Sequence, residues 1–174
     1  YVQTGICYCA LIACNGWGAI SQSGEEFSPF GQLPGHQQNP DVVIGAEGGF
    51  AVWQNSGLNS KGERVVIHML NVLLEGEGRP IRLTADTKRT DETFPRVAMM
   101  PTGAAVVAWE SGRRGERDVN LRFVNASGQY LTGVERVNGF KRGNQTKPDV
   151  AVNDHGDVLV TWESGGQDGD GKGI

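Results

Sequence analysis

The stretch NQTKPDVAVNDHGDVLVTWESGGQDGDGKGI, residues 144–174, decides the fold because the chain carries two earlier versions of it. Residues 40–53, PDVVIGAEGGFAVW, and residues 95–109, PRVAMMPTGAAVVAW, follow the same order. Each has a proline, an apolar run, a turn with glycine, and a second apolar run that ends in tryptophan. The residues that mark the repeat are Pro40, Pro95 and Pro148, then Gly48, Gly103 and Gly156, then Trp53, Trp109 and Trp162. Successive prolines are 55 and 53 residues apart, which indicates a repeat architecture.

Each copy of the repeat predicts four short strands. In the third copy, two β-branched runs at 148–152 and 157–164 flank the turn NDHG. In the second copy, residues 118–124 and 131–138 predict the third and fourth strands, joined by a turn at 125–130. Both faces of the 157–164 strand are largely apolar, which predicts that it is covered on both sides. No segment has a helical period.

Four antiparallel strands per repeat of this length are typical of a β-propeller blade. The predicted fold class is therefore all-β: a partial β-propeller of about two complete four-stranded blades with part-blades at both ends. The predicted blades are 40–94 and 95–147, with a truncated blade at 148–174, and 15–39 is a linker with the last strands of a preceding blade. Such a chain is part of a longer ring, or several copies assemble into one ring. The three tryptophans are predicted to pack between blades, and the alternative, sugar-stacking aromatics, requires the indoles to face solvent.

The N-terminal segment 1–14 is interpreted as a processing signal. The run GICYCALIACNG, residues 5–16, is too short to cross a bilayer but suits the apolar part of a secretory signal. Residues 11–14, Leu-Ile-Ala-Cys, resemble the bacterial lipobox. The resemblance implies export, with a lipid on Cys14 as the contact with the membrane and removal of Cys7 and Cys9. The alternative is a short buried strand with incidental cysteines.

Charged residues exclude one class of partner and offer two candidate sites. The net charge is −4 with both signs interspersed, which argues against a nucleic-acid surface. Asp168 and Asp170 alternate with glycines, as in a calcium loop; the alternative is a solvated turn and no cofactor. Glu110 and Glu163 follow the tryptophans, and a glycosidase needs two carboxylates across its substrate. Their repetition instead predicts a structural role, such as bonding to the next loop, so no catalytic residue is assigned.

Residues 143–174 resemble a repeat of large exported bacterial surface proteins, with NQ, a proline, W-x-S, QDG and a final GI. The match is close there, fair over 95–140 and loose over 40–94. The resemblance implies a propeller-like fold, a location in the cell envelope, on the cell surface or outside the cell, and no catalysis. The predicted function is a surface module that binds or adheres to an extracellular protein or glycan. Two alternatives stay open: a fragment of a carbohydrate-active propeller enzyme of the glycosidase or sialidase type, and a structural spacer.

The loops that follow the second and fourth strands of each copy are predicted to meet at one edge. They are the longest and most polar parts of the repeat, at 55–64, 84–94, 111–118, 138–147 and 164–171. A ligand surface is expected there, because binding residues concentrate on loops held by a rigid scaffold.

Overall fold

A computed structural model describes residues 4–6, 10, 12–15, 19–22, 25–56, 62–84, 90–167, 169 and 171–174. All regular structure in these ranges is β-strand, so the all-β prediction is confirmed. These ranges contain no helix of the length and apolarity that crossing a membrane requires. The strands are β1 Thr4–Ile6, β2 Ile12–Asn15, β3 Ala19–Gln22, β4 Gln32–Pro34, β5 His36–Gly45, β6 Gly48–Ser56, β7 Arg64–Leu70, β8 Gly76–Arg82, β9 Asp91–Met99, β10 Ala105–Arg113, β11 Glu116–Val124, β12 Glu135–Arg136, β13 Gln145–Val152, β14 Val158–Gly165 and β15 Lys172–Gly173.

Three antiparallel sheets follow one another along the chain. The first sheet has the order β5-β6-β7-β8, the second β9-β10-β11-β12, and the third β13-β14-β15. Every strand therefore pairs with its neighbour in sequence, as in an up-and-down meander. Before them, β2 pairs with β3 in a hairpin and β1 pairs with β4.

The first strand of each sheet begins three or four residues before the proline, whereas the predicted blades began at the proline itself. The first strands start at His36, Asp91 and Gln145, and the proline lies inside each of them at a shift of register. The residue before the proline has a left-handed backbone in all three: Asn39, Phe94 and Lys147 have φ of 50°, 52° and 50°. Opposite each shift stands the tryptophan of the second strand. A proline, which has no N–H to donate, is tolerated at such a β-bulge.

The repeat glycines lie in the turn between the first and second strands or directly after it, as Gly48 does at the start of β6. Gly48, Gly103 and Gly156 all have positive φ, at 119°, 78° and 86°. A Cβ on Gly48 would lie 2.2 Å from the backbone oxygen of Leu70, so this position also excludes a side chain by contact. The turn in the first sheet is shorter than the other two, which explains why Trp53 follows its proline after thirteen residues rather than fourteen.

The predicted fourth strand at 131–138 is much shorter than expected. Only Glu135–Arg136 pairs with β11, as β12. Before it, Arg122 donates from Nε to the backbone oxygen of Thr132 (3.0 Å), and the Thr132 hydroxyl accepts from the backbone N–H of Phe123 (3.2 Å). The Arg122 guanidinium also lies 3.5 Å above the Tyr130 ring. Leu131 still donates its backbone N–H to the Phe123 oxygen (2.9 Å), and at Thr132 the bonds to β11 run through side chains instead.

The main core lies between the first and second sheets. Its buried members from the first sheet and the segment after it are Phe50, Val52, Val65, Ile67 and Leu83; those from the second sheet are Val97, Ala105, Val107, Trp109 and Val124. Trp109 is 0% exposed, and burying an indole of ~150–250 Å² stabilises by about 4–6 kcal/mol at ~25 cal/mol/Å². Trp53 lies on the opposite face of the first sheet, in a second cluster with Leu33 and Phe30.

The third sheet differs from the first two in how its second strand is covered. Strands β6 and β10 are buried on both faces over most of their length. In β14 the burial alternates, with Trp162 half-buried on one face and Leu159 66% exposed on the other. The prediction that residues 157–164 are covered on both sides is therefore wrong for the described part of the chain.

Candidate functional site

The edge at which the first strand of each sheet begins is the candidate site, and we call it the loop edge. Antiparallel pairing brings the starts of β5, β9 and β13, the ends of β6, β10 and β14, and the starts of β7 and β11 to this edge. The predicted ligand loops lie here where they are described, namely 55–56, 62–64, 84, 90–94, 111–118, 138–147, 164–167, 169 and 171.

Glu110 ties the second sheet to the third at the loop edge. The residue is 2% exposed, and its Oε1 accepts a hydrogen bond from the backbone N–H of Lys147 in β13 (2.8 Å). Its Oε2 forms an ion pair with Arg117 Nη1 (2.5 Å) and accepts from the Thr93 hydroxyl (3.1 Å). Both carboxylate oxygens are thus occupied in a buried network, which is a structural arrangement rather than that of a catalytic acid.

Gln54, at the equivalent position of the first sheet, makes the corresponding bond to the second sheet. Its Oε1 accepts from the backbone N–H of Phe94 (3.4 Å), the residue before the proline of β9. A second tie comes from Asp41 Oδ2, which accepts the backbone N–H of Val97 (2.9 Å). In the first two sheets, the residue after the tryptophan therefore accepts a hydrogen bond from the backbone N–H that precedes the proline of the next sheet.

Glu163 is the third member of this series and has different partners. It accepts from Lys147 Nζ (2.7 Å) and Lys172 Nζ (3.2 Å). The hydrogen bonds and charges of these two lysines hold the pKa of the Glu163 carboxyl below its usual range. Its side chain is partly exposed, so this carboxylate is available to a further partner.

Glu92 is a buried carboxyl that no pattern in the sequence indicates. Its Oε2 accepts from the Thr84 hydroxyl (2.6 Å) and from the backbone N–H of Val65 (3.4 Å). Burial raises the pKa of Glu92 above its usual value, against the opposing effect of these hydrogen bonds and of Arg64. A raised pKa suits a general acid. Here, however, both hydrogen bonds that Glu92 accepts come from the first sheet and the segment after it, so Glu92 links the first and second sheets.

The link between the second and third sheets is held by three amide side chains. Asn144 Oδ1 accepts the backbone N–H of Gly115 (2.9 Å), at the tip of the β10–β11 hairpin. Asn138 is buried, accepts from the backbone N–H of Val119 (2.8 Å) and donates to Asp118 (2.7 Å). Gln145 Nε2 donates to the backbone oxygen of Arg142 (3.1 Å). This link and the hairpin tip therefore form one preorganised surface.

Four exposed cations stand on that surface: Arg113, Arg114, Lys141 and Arg142, which we call the basic tip. Within the described ranges no ion pair involves any of them. The neighbouring Arg117 is neutralised by Glu110, and Asp118 faces Arg136 (3.9 Å). The chain is acidic overall, so an unpaired basic cluster on a rigid link is a candidate binding surface for oxygen-rich or anionic groups.

Two openings elsewhere bear on ligand binding. An apolar cleft of about 310 Å³, the first-sheet cleft, is lined by Phe27, Phe30, Val42, Ile44 and Trp53, among others. A second opening is lined by Trp162 and Ser164 of β14. In the first sheet, the residue equivalent to Trp162 is Trp53, which pairs with Val66 of the third strand. The opening therefore lies beside β14 where the first sheet has its third strand.

Trp162 is not arranged as a sugar-stacking side chain. Its indole is half-buried and its Nε1 donates to Gln145 Oε1 (3.2 Å). The opening beside it lies where the first sheet has its third strand, so it does not have the form of a ligand pocket. The geometry therefore favours packing for this tryptophan, as for Trp109.

The side chains of the predicted calcium and lipid sites lie outside the described part of the structure. Asp168 and Asp170 lie outside the described residues, so a calcium site there stays a prediction. In the described ranges, no three or more His, Cys, Asp or Glu side chains group closely enough to hold a metal ion. The backbone of Cys14 belongs to β2, but the position of its side chain is not described. Cys7 and Cys9 lie outside the described residues.

Comparison with known proteins decides the architecture. No model of a known protein family matches the sequence, and no curated protein matches it. Among solved structures, the Penicillium chrysogenum alpha-L-arabinanase complexed with arabinobiose aligns with a TM-score of 0.55 at 16% identity, over 95% of this chain and 53% of that one. The chain has the β-propeller fold.

Two further propeller structures support the same conclusion. The endo-arabinase from Bacteroides thetaiotaomicron aligns with a TM-score of 0.52 at 14% identity, over 95% of this chain and 68% of that one. A thermostable family-43 glycoside hydrolase aligns with a TM-score of 0.53 at 12% identity, over 90% and 61%. The chain thus spans between half and about two thirds of the length of these propellers, and the prediction of a partial β-propeller is confirmed.

Proposed function

We propose that the chain is part of a carbohydrate-active β-propeller whose loop edge binds a glycan. The observation that carries the proposal is the fold: the arabinanase, the endo-arabinase and the family-43 glycoside hydrolase each align over 90% or more of this chain. A likeness at 12–16% identity establishes the fold, and the side chains of the loop edge determine which ligand class it suits.

The basic tip supplies suitable donors for a glycan. Arginine and lysine side chains donate several hydrogen bonds each and accept none, which suits the hydroxyl and carboxylate oxygens of sugars. Asn138 and Asn144 fix the backbone beneath them, so little order has to be gained on binding.

The described carboxylates do not favour bond cleavage by these residues alone. Glycoside hydrolysis uses two carboxyl groups on either side of the scissile bond. Glu110 and Glu92 are both engaged in ties between sheets. We therefore assign glycan binding to the loop edge and assign cleavage to none of its described residues.

Isothermal titration calorimetry tests the binding role. The ligands are arabinobiose, longer arabino-oligosaccharides and oligogalacturonates, which separate neutral from anionic recognition. At least one ligand is expected to bind, and Arg113→Ala with Arg114→Ala is expected to weaken it about tenfold or more. Arg79→Ala, in the exposed strand β8, is the matched control and should leave the affinity unchanged. Absence of binding to every ligand, or equal binding by the double variant, would contradict the proposal.

A second candidate is a non-catalytic module for adhesion at the cell surface. It is favoured by the role of the repeated position after tryptophan, where Gln54 and Glu110 bond the next sheet rather than reaching toward a substrate. The full-length gene product distinguishes the two. Release of reducing sugar from arabinan supports the enzyme, whereas binding to cells or polysaccharide without release supports adhesion.

Export and a lipid on Cys14 form the third part of the proposal, supported by the lipobox-like residues 11–14. Mass spectrometry of the mature N-terminus from the native host is the test. A lipid-modified cysteine is expected, and Cys14→Ser should abolish the modification. An unmodified chain that still carries the residues before Cys14 would rule it out.

A further inference from the structure

A cavity of about 460 Å³ lies between the first and second sheets, at the edge opposite the loop edge, and we call it the turn-edge cavity. Its first wall is a row across the first sheet, in which Phe50 pairs with Met69 and Met69 with Glu77. Paired residues of antiparallel strands project from the same face of a sheet, so this row faces the second sheet together. The opposite wall is the end of β9 and the turn after it, residues 99–103. Both walls belong to four-stranded sheets that share the main core.

All three methionines of the chain border this cavity. Met99 reaches across to the first sheet, where a Cβ on Gly45 would lie 2.5 Å from the methionine sulfur. Met69 reaches toward the β11–β12 connection, where a Cβ on Gly128 would lie 2.9 Å from the methionine sulfur. Methionine side chains are flexible and polarisable, and they are common on surfaces that adapt to a ligand. Here they surround an open volume rather than filling it, which indicates a site rather than packing alone.

The methionines at the β9–β10 turn depart from the repeat. Met99 is the fourth residue after its proline, where the other two copies have Ile44 and Val152. The next residue in this copy is a second methionine, Met100. β-Branched residues suit the end of a strand better than methionine does. The packing of the repeat therefore does not require methionine here, and a departure from the pattern at one junction between sheets is typical of a functional site.

The ionisable groups at the cavity are acidic. Among the described residues that line it, the only ionisable side chains are those of Glu47, in the β5–β6 turn, and Glu77, in β8. Both residues are exposed, and neither forms an ion pair within the described ranges. Phe50, Leu70 and Pro101 add apolar surface beside the methionines. Apolar walls with two carboxylates are complementary to a ligand that has an apolar body and a positive charge.

We propose that the turn-edge cavity binds a small organic cation with an apolar body, of the arylalkylammonium class. The apolar body contacts Phe50 and the methionine side chains, and the ammonium group lies beside Glu47 and Glu77. The cavity volume of about 460 Å³ falls within the ~300–1,000 Å³ of small-molecule sites. This site is separate from the glycan surface at the loop edge, where the exposed charges of the basic tip are positive, so the two surfaces select ligands of different charge.

NMR of isotope-labelled methionine methyl groups tests the proposal, because every methionine of the chain borders the cavity. The probes are phenethylammonium, its neutral isostere phenethyl alcohol, and the anion phenylacetate. Each is titrated to about 10 mM, a range that covers millimolar dissociation constants. Phenethylammonium is expected to shift the methyl signals until they saturate. Phenethyl alcohol should bind about threefold or more weakly, because it lacks the charge that the carboxylates attract, and phenylacetate should bind most weakly.

Removing the two carboxylates separates charge recognition from apolar binding. Glu47→Gln combined with Glu77→Gln keeps the size of both side chains and should abolish the preference for phenethylammonium over phenethyl alcohol. Glu135→Gln, which removes an exposed carboxylate in β12 outside the cavity, is the matched control and should leave that preference unchanged. Circular dichroism of each variant shows whether it is folded.

Three results would overturn the proposal. The first is phenethyl alcohol binding as tightly as phenethylammonium, and the second is a preference that survives in the double variant or is lost equally in Glu135→Gln. The third is a set of methyl signals that no organic probe shifts. Silver ion alone, added in that case, distinguishes an unused cavity from a soft-metal site, since thioethers are ligands of soft metal ions.

Discussion

Removing the Glu110 carboxylate should destabilise the chain more than any other single change at the loop edge. Glu110→Ala leaves the Lys147 backbone N–H and the Arg117 guanidinium without the acceptor that they share. Breaking a buried ion pair costs ~3–5 kcal/mol, and because Arg117 is partly exposed and regains water, we expect the lower end, about 3 kcal/mol. For a chain of this length, that lowers the melting temperature by about 6–12 °C.

Urea-induced unfolding, followed by tryptophan fluorescence, measures the change, and Glu110→Gln is the matched control. Glutamine keeps an oxygen for the Lys147 N–H, and Gln54 already serves this way between the first two sheets. The control should therefore lose only about 1–2 kcal/mol, chiefly from the ion pair with Arg117. If Glu110→Ala unfolds within ~1 kcal/mol of wild type, or if the two variants are equally unstable, Glu110 does not tie the sheets as described.

Two further predictions concern the turns and the buried acid. Gly103→Ala should destabilise by about 1–2 kcal/mol because its φ of 78° strains an alanine, and Gly48→Ala should destabilise more because its Cβ would also meet the Leu70 oxygen. Gly133→Ala, with open space around it and no positive φ, is the control and should stay within ~0.5 kcal/mol of wild type. The folded-state pKa of Glu92 is raised, so its contribution to stability is full below the unfolded pKa near 4.5 and is lost as pH rises through the folded value. The free energy of unfolding of wild type should therefore fall relative to Glu92→Gln between about pH 4 and pH 7, and a difference that does not change with pH would contradict the burial argument.

The repeat made much of the architecture predictable from the sequence. A proline, a glycine and a tryptophan at fixed spacing are enough to place two strands and the turn between them, because each residue type has a distinct backbone or packing role. The left-handed backbone of Phe94 and Lys147 was not predictable. Neither residue type favours that conformation, and the bulge follows from the register with the partner strand.

The candidate site was predictable only where it repeats. The position after tryptophan indicated a structural role because Glu110 and Glu163 recur. Glu92 carries no such pattern: its burial arises from sheet packing and from Thr84 and Val65, which the chain brings close only when folded. The arginines at 113, 114 and 117 are close in sequence, but only the β10–β11 register places Arg117 beside Glu110, and no ion pair among the described residues involves the other two.

A double-mutant cycle between Phe50 of the first sheet and Trp109 of the second tests most directly whether successive sheets pack as blades. Both side chains belong to one buried cluster, so Phe50→Leu and Trp109→Phe should couple by about 0.5 kcal/mol or more in the free energy of unfolding. Trp109→Phe combined with Leu73→Ala, in an exposed turn, should be additive. Effects of the first pair that add within ~0.3 kcal/mol would show that the two sheets do not share a core and would contradict the propeller packing described above.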